Sequence, residues 1–234
     1  MTEIKMFTTY FVNCYIVRGE KTIMFDTGTL FTPEQLPGVL EELGVAPDEI
    51  DIIVVSHAHF DHAELAKAWK ELTGAKILCH RAAVEFLSTG KKEPRFDFGP
   101  KALACQPYVD YMMENSPELI PTVEPEIIVG NDDFDMHPYG IPGKIVYTPG
   151  HDDSCIALVL DDRTAIVGDT IYDLHTIPPI ADEYPEGSIS LNWMCTDEEL
   201  IKQSATKLLE LADTFYCGHA AGPVSRNVLE SLVK

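Results

Sequence analysis

The chain opens with short alternations of apolar and polar side chains and then settles into longer periodic segments. Between Ile4 and Phe25, the runs Asn13 to Val17 and Thr22 to Phe25 read as short strands joined by turns and closed at Asp26-Thr27-Gly28, the pattern of an antiparallel opening. Leu36 to Leu43 switches to helical spacing and stops at Gly44. Asp51 to Val55 is then a continuous apolar run suited to a strand buried on both faces. Helix and strand alternate from there: Glu64 to Leu72 is helical and ends before Gly74, Lys76 to Cys79 is a strand, and Ala82 to Leu87 is a helix. Lys91 to Gly140 interrupts this rhythm with Pro94, Pro100, Pro107, Pro117, Pro121, Pro125 and Pro138, and with one short helical stretch near Tyr108 to Glu114. It reads as an insertion or lid at about 91–140 within a single domain spanning 1–234. Beyond it Lys144 to Tyr147, Cys155 to Leu160 and Thr164 to Val167 read as strands, and Thr196 to Ala212 as a helix with Thr196 and Glu199 spaced as a capping box. Hairpins followed by helices thus occur in both halves. The pattern predicts an α/β (α+β) architecture of sheets covered by helices, with loops at strand ends carrying the chemistry.

Length and composition set limits on this picture. The 234 residues, 45% of them apolar, suffice for one generous packed domain. The first twenty residues lack a basic segment, an unbroken apolar run and a small-residue cleavage site, and no apolar run approaches the roughly 18 residues needed to span a bilayer. A cytoplasmic protein without a membrane partner is the expectation, and the length leaves little room for a second, flavin-binding domain. Seventeen Lys and Arg against 38 Asp and Glu give a net charge of −21, which repels phosphate backbones and disfavours strongly anionic substrates. Nucleic acid is therefore excluded as an expected partner and a small molecule is favoured as substrate, although bound cations would offset the field locally. The cysteines at 14, 79, 105, 155, 195 and 217 form no CxxC pair and read as reduced, mostly buried thiols.

The densest chemical signal follows the buried strand directly: Ser56-His57-Ala58-His59-Phe60-Asp61-His62 carries four candidate metal ligands. His57 and His59 lie two apart, so at a strand end they project to one side and can share a metal, while Asp61 and His62 fall at the turn into the next helix beside a second. Later loops add His151 after Gly150, Asp169 after Gly168 and His219 after Gly218, each glycine suited to a tight turn near a shared centre. Five imidazoles and two carboxylates suit zinc, or iron or manganese, better than calcium or magnesium. His80, His137 and His175 carry no motif and read as surface or hydrogen-bonded core residues, and Asp132-Asp133 with Asp135 as a solvated turn.

In this order of motifs, from Asp26-Thr27-Gly28 through the histidine string, Gly150-His151, Gly168-Asp169 and Gly218-His219, the chain resembles the metallo-β-lactamase superfamily, nearest in ligand pattern to glyoxalase II-like and lactonase-like hydrolases. The resemblance spans nearly the whole chain. It implies a four-layer αββα sandwich, two mixed β-sheets with helices on the outer faces, and two divalent metal ions, zinc first and iron or manganese next, at one edge. His57, His59 and His151 would hold the first, Asp61, His62 and His219 the second, with Asp169 between them and Asp26 orienting a ligand histidine. The implied reaction is cleavage of a small thioester, ester or lactone by a hydroxide bridging the metals, with Asp61 or Asp169 as the catalytic group that orients it and passes on its proton, and with Tyr172 or His175 donating to the oxyanion. The resemblance leaves two other activities open: a mononuclear iron dioxygenase acting on a thiol-bound persulfide, which uses only a subset of these ligands, and a phosphodiesterase on the same cluster, which the charge of −21 disfavours. A closed structural metal site is the non-catalytic alternative, disfavoured by the number of ligands. One stretch departs from the family: Asp152-Asp153-Ser154 replaces the frequent small-residue, proline-containing turn after His151.

Overall fold

The computed structural model describes residues 2–91 and 99–234; part of the proline-rich stretch, 92–98 with Pro94, lies outside the described residues. Six strands follow one another across the first sheet in chain order: β1 (Glu3–Thr9), β2 (Val12–Arg18), β3 (Thr22–Phe25), β4 (Ile50–Val55), β5 (Lys76–His80) and β6 (Ile127–Val129). β1, β2 and β3 pair antiparallel, and β3 to β6 pair parallel. The second sheet begins with the antiparallel strands β7 (Phe134–Asp135), β8 (Gly143–Tyr147), β9 (Ile156–Leu160) and β10 (Thr164–Ile166). A two-stranded ribbon of β11 (Ile171–Asp173) and β12 (Ile189–Leu191) follows; β13 (Thr214–Tyr216) then joins β10 in parallel and β14 (Val224–Ser225) closes the edge.

Alternation along the central strands assigns each side chain to a layer. In β2, β3 and β4, Tyr15, Val17, Ile23, Phe25, Ile52 and Val54 point inward, where they meet Ile145, Ile156, Leu158, Leu160 and Ile166 of the second sheet. Their neighbours Ile16, Met24, Ile53 and Val55 point the other way, under α1 (Leu36–Leu43), the short α2 (Phe60–Ala63), α3 (Ala66–Thr73) and α4 (Val84–Thr89), where Leu36, Leu40, Trp69 and Leu87 cover them. A strand apolar on both faces is what a sheet sandwiched between a second sheet and a helix layer requires. Past α5 (Pro100–Leu103) and α6 (Gln106–Asn115), α7 (Glu198–Leu211) and α8 (Arg226–Val233) cover the far face of the second sheet, with Ala205, Leu208 and Leu229 against Val146, Ala157 and Phe215. The four layers are therefore helix, sheet, sheet, helix. Among the described residues, no helix is long and apolar enough to cross a membrane, and the six cysteines form no disulfide.

Three details differ from the sequence reading. Within the proline-rich stretch, Ile127–Val129 and Phe134–Asp135 join the two sheets, elements too short to show a periodicity. The helix expected over Glu64 to Leu72 is broken at Leu65 into α2 and α3. At the start of α7 it is Asp197, not Thr196, that caps, accepting from the backbone N–H groups of Glu199 and Leu200 at 2.9 Å each. Thr196 instead donates its hydroxyl to the Gly150 carbonyl (3.1 Å) and ties the helix to the loop before His151.

Candidate metal centre

The strand directions bring all the chemistry to one edge. β3 and β4 run parallel in the first sheet; β8, β10 and β13 share one direction in the second, because β9 is antiparallel to both β8 and β10 while β13 is parallel to β10. The loops leaving the C-terminal ends of these five strands carry Asp26, His57 to His62, His151, Asp169 and His219. Hydrogen bonds join the sheets there: Ile156 N–H donates to Ser56 O (2.9 Å) and Asn13 N–H to Gly218 O (2.7 Å). Gly218 is required by close approach, since a Cβ would lie 2.4 Å from Asp169 Oδ1 and 2.9 Å from the His62 ring. At Gly150, with φ +130°, a Cβ would strike the Ile201 backbone N at 2.3 Å.

All seven predicted ligands converge. Three sets of ligand atoms each fall within 4.8 Å of one another: His57, His59 and His151; His57, His62 and Asp169; Asp61, His62 and His219. In the first, His59 Nδ1 lies 3.0 Å from His57 Nε2 and 2.9 Å from His151 Nε2. Asp169 sits between the groups, its Oδ2 3.6 Å from His57 Nε2 and 3.5 Å from both His151 Nε2 and His219 Nε2, its Oδ1 3.2 Å from His62 Nε2. Asp61 Oδ2 is 3.4 Å from His219 Nε2 and 3.6 Å from His62 Nε2.

The far sides of the rings decide which nitrogen faces the centre. His62 Nδ1–H donates to Asp26 Oδ2 (2.8 Å), and His219 Nδ1–H donates to Phe11 O (3.1 Å). Ser56 spends its hydroxyl proton on Asp26 Oδ2 (2.9 Å), so its oxygen accepts from His57 Nδ1–H (2.9 Å). Each of the three therefore presents Nε2 inward, which is how an imidazole is oriented for a metal. His62 Nε2, His219 Nε2 and Asp169 Oδ1 are buried and make no hydrogen bond to the described residues. A buried polar atom left so costs about 1–3 kcal/mol; several aimed at one point fit a cation better than a polar core. Nitrogen and carboxylate donors in this mixture suit divalent transition ions.

Electrostatics within the cluster point the same way. Burial holds His57 well below the usual imidazole value, with His62 adding to the effect. For His62 burial also opposes charge, yet Asp169, Asp61 and Asp26 outweigh it and hold the ring well above its ordinary value. His219 is raised to about 9, Asp169 and Asp61 overcoming its burial. Asp169 is held well below the carboxylate range by His62 and His219 despite burial. The carboxylates around His62 and His219 thus favour positive charge at this end of the cluster.

The residue-by-residue outcome is uneven outside the seven. Asp26, fully buried in the left-handed region at φ 62°, takes the orienting place expected of it and also accepts from Ser56 N–H (2.7 Å). Tyr172 does not offer a free hydroxyl to an oxyanion: it donates to Asp169 Oδ2 at 2.7 Å and packs edge-on against His219. His175 is turned away, its Nδ1 donating toward the carbonyls of Tyr184 (2.9 Å) and Ala181 (3.1 Å). His80 stacks on Tyr147 with its Nδ1 accepting from Ala82 N–H, and His137 sits between Asp135 and Asp161. The divergent Asp152-Asp153-Ser154 turn turns out to be a prop: Asp152 accepts from the N–H and hydroxyl of Ser154, whose oxygen accepts Ala58 N–H (2.9 Å) between His57 and His59. A D-x-S turn was visible in the sequence; its distant target was not.

The family model described as the metallo-β-lactamase superfamily matches residues 7–215. The chain belongs to the metallo-β-lactamase superfamily. A probable metallo-hydrolase of Methanocaldococcus jannaschii is 30% identical over 165 residues, 70% of this chain and 68% of that protein. A metallo-β-lactamase fold-containing protein of Sulfurisphaera tokodaii is 27% identical over 177 residues, covering 72% of this chain but 62% of the relative. An anaerobic nitric oxide reductase flavorubredoxin of Aliivibrio fischeri matches at 31% over 101 residues, only 20% of its own length. Among solved structures, an archaeal superfamily protein from Sulfolobus tokodaii superposes with TM-score 0.65 at 20% identity over 98% of this chain and 83% of its own. A protein solved in a di-iron-bound form superposes with TM-score 0.64 at 17% identity over 98% and 96%. These likenesses show the superfamily fold; the chemistry of this member has to come from its own site.

Proposed function

We propose that the chain is a dinuclear metallohydrolase, glyoxalase II-like or lactonase-like, that cleaves a thioester, ester or lactone of a small molecule. The observation that carries this reading is the convergence of two three-residue ligand sets on the Asp169 carboxylate, with buried ligand atoms that have no hydrogen-bond partner among the described residues. His57, His59 and His151 would hold one divalent ion, Asp61, His62 and His219 the other, and Asp169 would touch both; zinc is the first choice, with iron or manganese next. Such a pair lowers the pKa of a water it shares and polarises a carbonyl oxygen.

The protein's own groups have definite parts. Tyr172 holds Asp169 Oδ2 through its hydroxyl, and Asn192 Nδ2 donates to the backbone carbonyl of Asp169 (2.8 Å), so the side chain and the main chain of this residue are each tied down. Burial first, then Asp169, raises the Tyr172 phenol well above its usual value, so it stays a donor. Asp61 and Asp169 both line the pocket over the site, which supports their carboxylates as the groups that would orient a nucleophilic water and accept its proton.

Metal content per chain of protein purified without chelators tests the reading, together with hydrolysis of a thioester and lactone panel. About two metals per chain and turnover that disappears with the metal in His59→Ala support it. One iron per chain and oxygen consumption with a persulfide substrate would replace it with the mononuclear dioxygenase.

A further inference from the structure

The pocket above the site has walls unlike its floor. The floor carries His59, Asp61, His151, Asp169 and His219, whereas the walls are apolar and aromatic, with Phe60, Phe86, Tyr108, Met112, Ile177 and Met194 foremost. Two distant parts of the chain build the upper wall. Tyr108 and Met112 come from α6, and Ile177 and Met194 from the segment around the β11–β12 ribbon; they pack with Ala102, Ile180 and Tyr172 into a small core of their own. Tyr108 is 4% exposed and lies edge-on to Trp193 at 5.5 Å, so the wall is packed rather than draped over the site. At the rim the Tyr111 hydroxyl donates to the Tyr10 hydroxyl (3.2 Å), joining α6 to the β1–β2 hairpin. Among the described lining residues there is no Lys or Arg, and the charged residue on the rim is Glu118.

A substrate whose carbonyl reaches the ligand cluster lays one flank of that carbonyl against this wall. A carboxylate tail placed there would be desolvated without a Lys or Arg partner among the described lining residues, under a chain of net charge −21. An apolar tail gains instead, because its surface leaves water for a surface already apolar. Resting on the hydrolase reading above, we propose that the acyl group of the substrate is an uncharged apolar chain or ring, and that α6, through Tyr108 and Met112, sets how long it can be.

The experiment uses the metal-loaded protein and thioesters of N-acetylcysteamine from acetyl to octanoyl, each with an ω-carboxylated counterpart, following thiol release. Uncleavable ketone analogues of the same acyl chains, with a methylene in place of sulfur, are titrated in parallel by calorimetry. Expected is a rise in kcat/KM of about fourfold per methylene until the pocket is filled, and a loss of at least about tenfold on adding the ω-carboxylate. Ketone affinity should rise along the same series. Met112→Trp, which shortens the pocket, should move the optimum to shorter chains with metal content unchanged; should that variant fold poorly, Met112→Ala should move it to longer ones. Cleavage that is flat or falling with chain length, or favoured by the ω-carboxylate, overturns the apolar acyl assignment while leaving a hydrolase. Ketones that bind more tightly with length beside thioesters that are never cleaved would do the reverse, keeping the pocket and refuting the hydrolase. Ketone binding that does not depend on length overturns the pocket assignment outright.

Discussion

Replacing Asp26 by Asn tests the candidate metal centre without touching any of its seven candidate ligands. Asp26 accepts three hydrogen bonds: Oδ1 from Ser56 N–H (2.7 Å), Oδ2 from the Ser56 hydroxyl (2.9 Å) and from His62 Nδ1–H (2.8 Å). Asparagine keeps the backbone, since it tolerates the left-handed φ of 62° about as well as aspartate does, and its carbonyl can keep the bond from Ser56 N–H. Its NH2 group then faces His62 Nδ1–H, donor against donor. The ring can relieve the clash only by moving its proton to Nε2, which removes the lone pair aimed at the second ligand set. Ser56, deprived of its acceptor, also loses its hold on His57. Losing such a partner behind a metal-bound histidine costs roughly 10–100-fold in affinity, about 1.4–2.7 kcal/mol. Competition titration of the metal-free protein with a calibrated chelator reads both binding constants. The constant for the site holding His62 should weaken by that factor and the other by less, with circular dichroism unchanged. Binding constants both within twofold of the wild type would show that Asp26 does not set the His62 tautomer.

Four further expectations come from the same geometry. His62 and His219 are held above their ordinary values, His219 at about 9, so filling their site at pH 7.5 should release protons, measurable by calorimetry in buffers of different ionisation enthalpy; no release would mean that the carboxylates do not raise these rings. Because His219 has its folded value raised, its stabilising contribution is complete below the unfolded value near 6.5 and is lost as pH rises through about 9, so the Tm of the metal-free protein should fall across that window, and a rise would contradict the assignment. Ser154→Ala strands the buried Ala58 N–H and should lower unfolding free energy by about 1–3 kcal/mol in denaturant titration. Tyr172→Phe, which frees Asp169 Oδ2, should reduce kcat/KM by about tenfold or more with two metals still bound, whereas unchanged turnover would make the phenol a packing residue only.

The extent to which the chain disclosed itself follows from the range of each interaction. β4 and the string from His57 to His62 were legible because strand burial and four ligands lie within thirteen consecutive residues, Ile50 to His62. His151, Asp169 and His219 were legible through their glycine-flanked loops, and the fold then accounts for their meeting: parallel β8, β10 and β13 deliver all three loops to the edge where β4 ends. What depended on aim was not legible. Whether Tyr172 turns its hydroxyl to Asp169 or to a substrate is set by the pairing of β11 with β12 and by its bridge to His219, contacts between residues far apart in the chain. His175, three residues on, loses its apparent promise because local turns put two carbonyls beside its ring.

The pocket extends this argument to specificity. The ligand set has to meet one geometry to hold metals, so its residues are constrained in kind and spacing and can be read from a sequence. The wall made by Phe86, Tyr108, Met112 and Met194 has only to be apolar and of the right shape, and any helix from the proline-rich stretch with a large apolar face could supply it. If the proposed pocket sets substrate choice, that choice rests in part, through Tyr108 and Met112, on the stretch of the chain with the weakest pattern. On the proposed reading, a change at Met112 would redirect the enzyme without disturbing its metals, and a change at Asp26 would weaken the metals without altering which substrate fits.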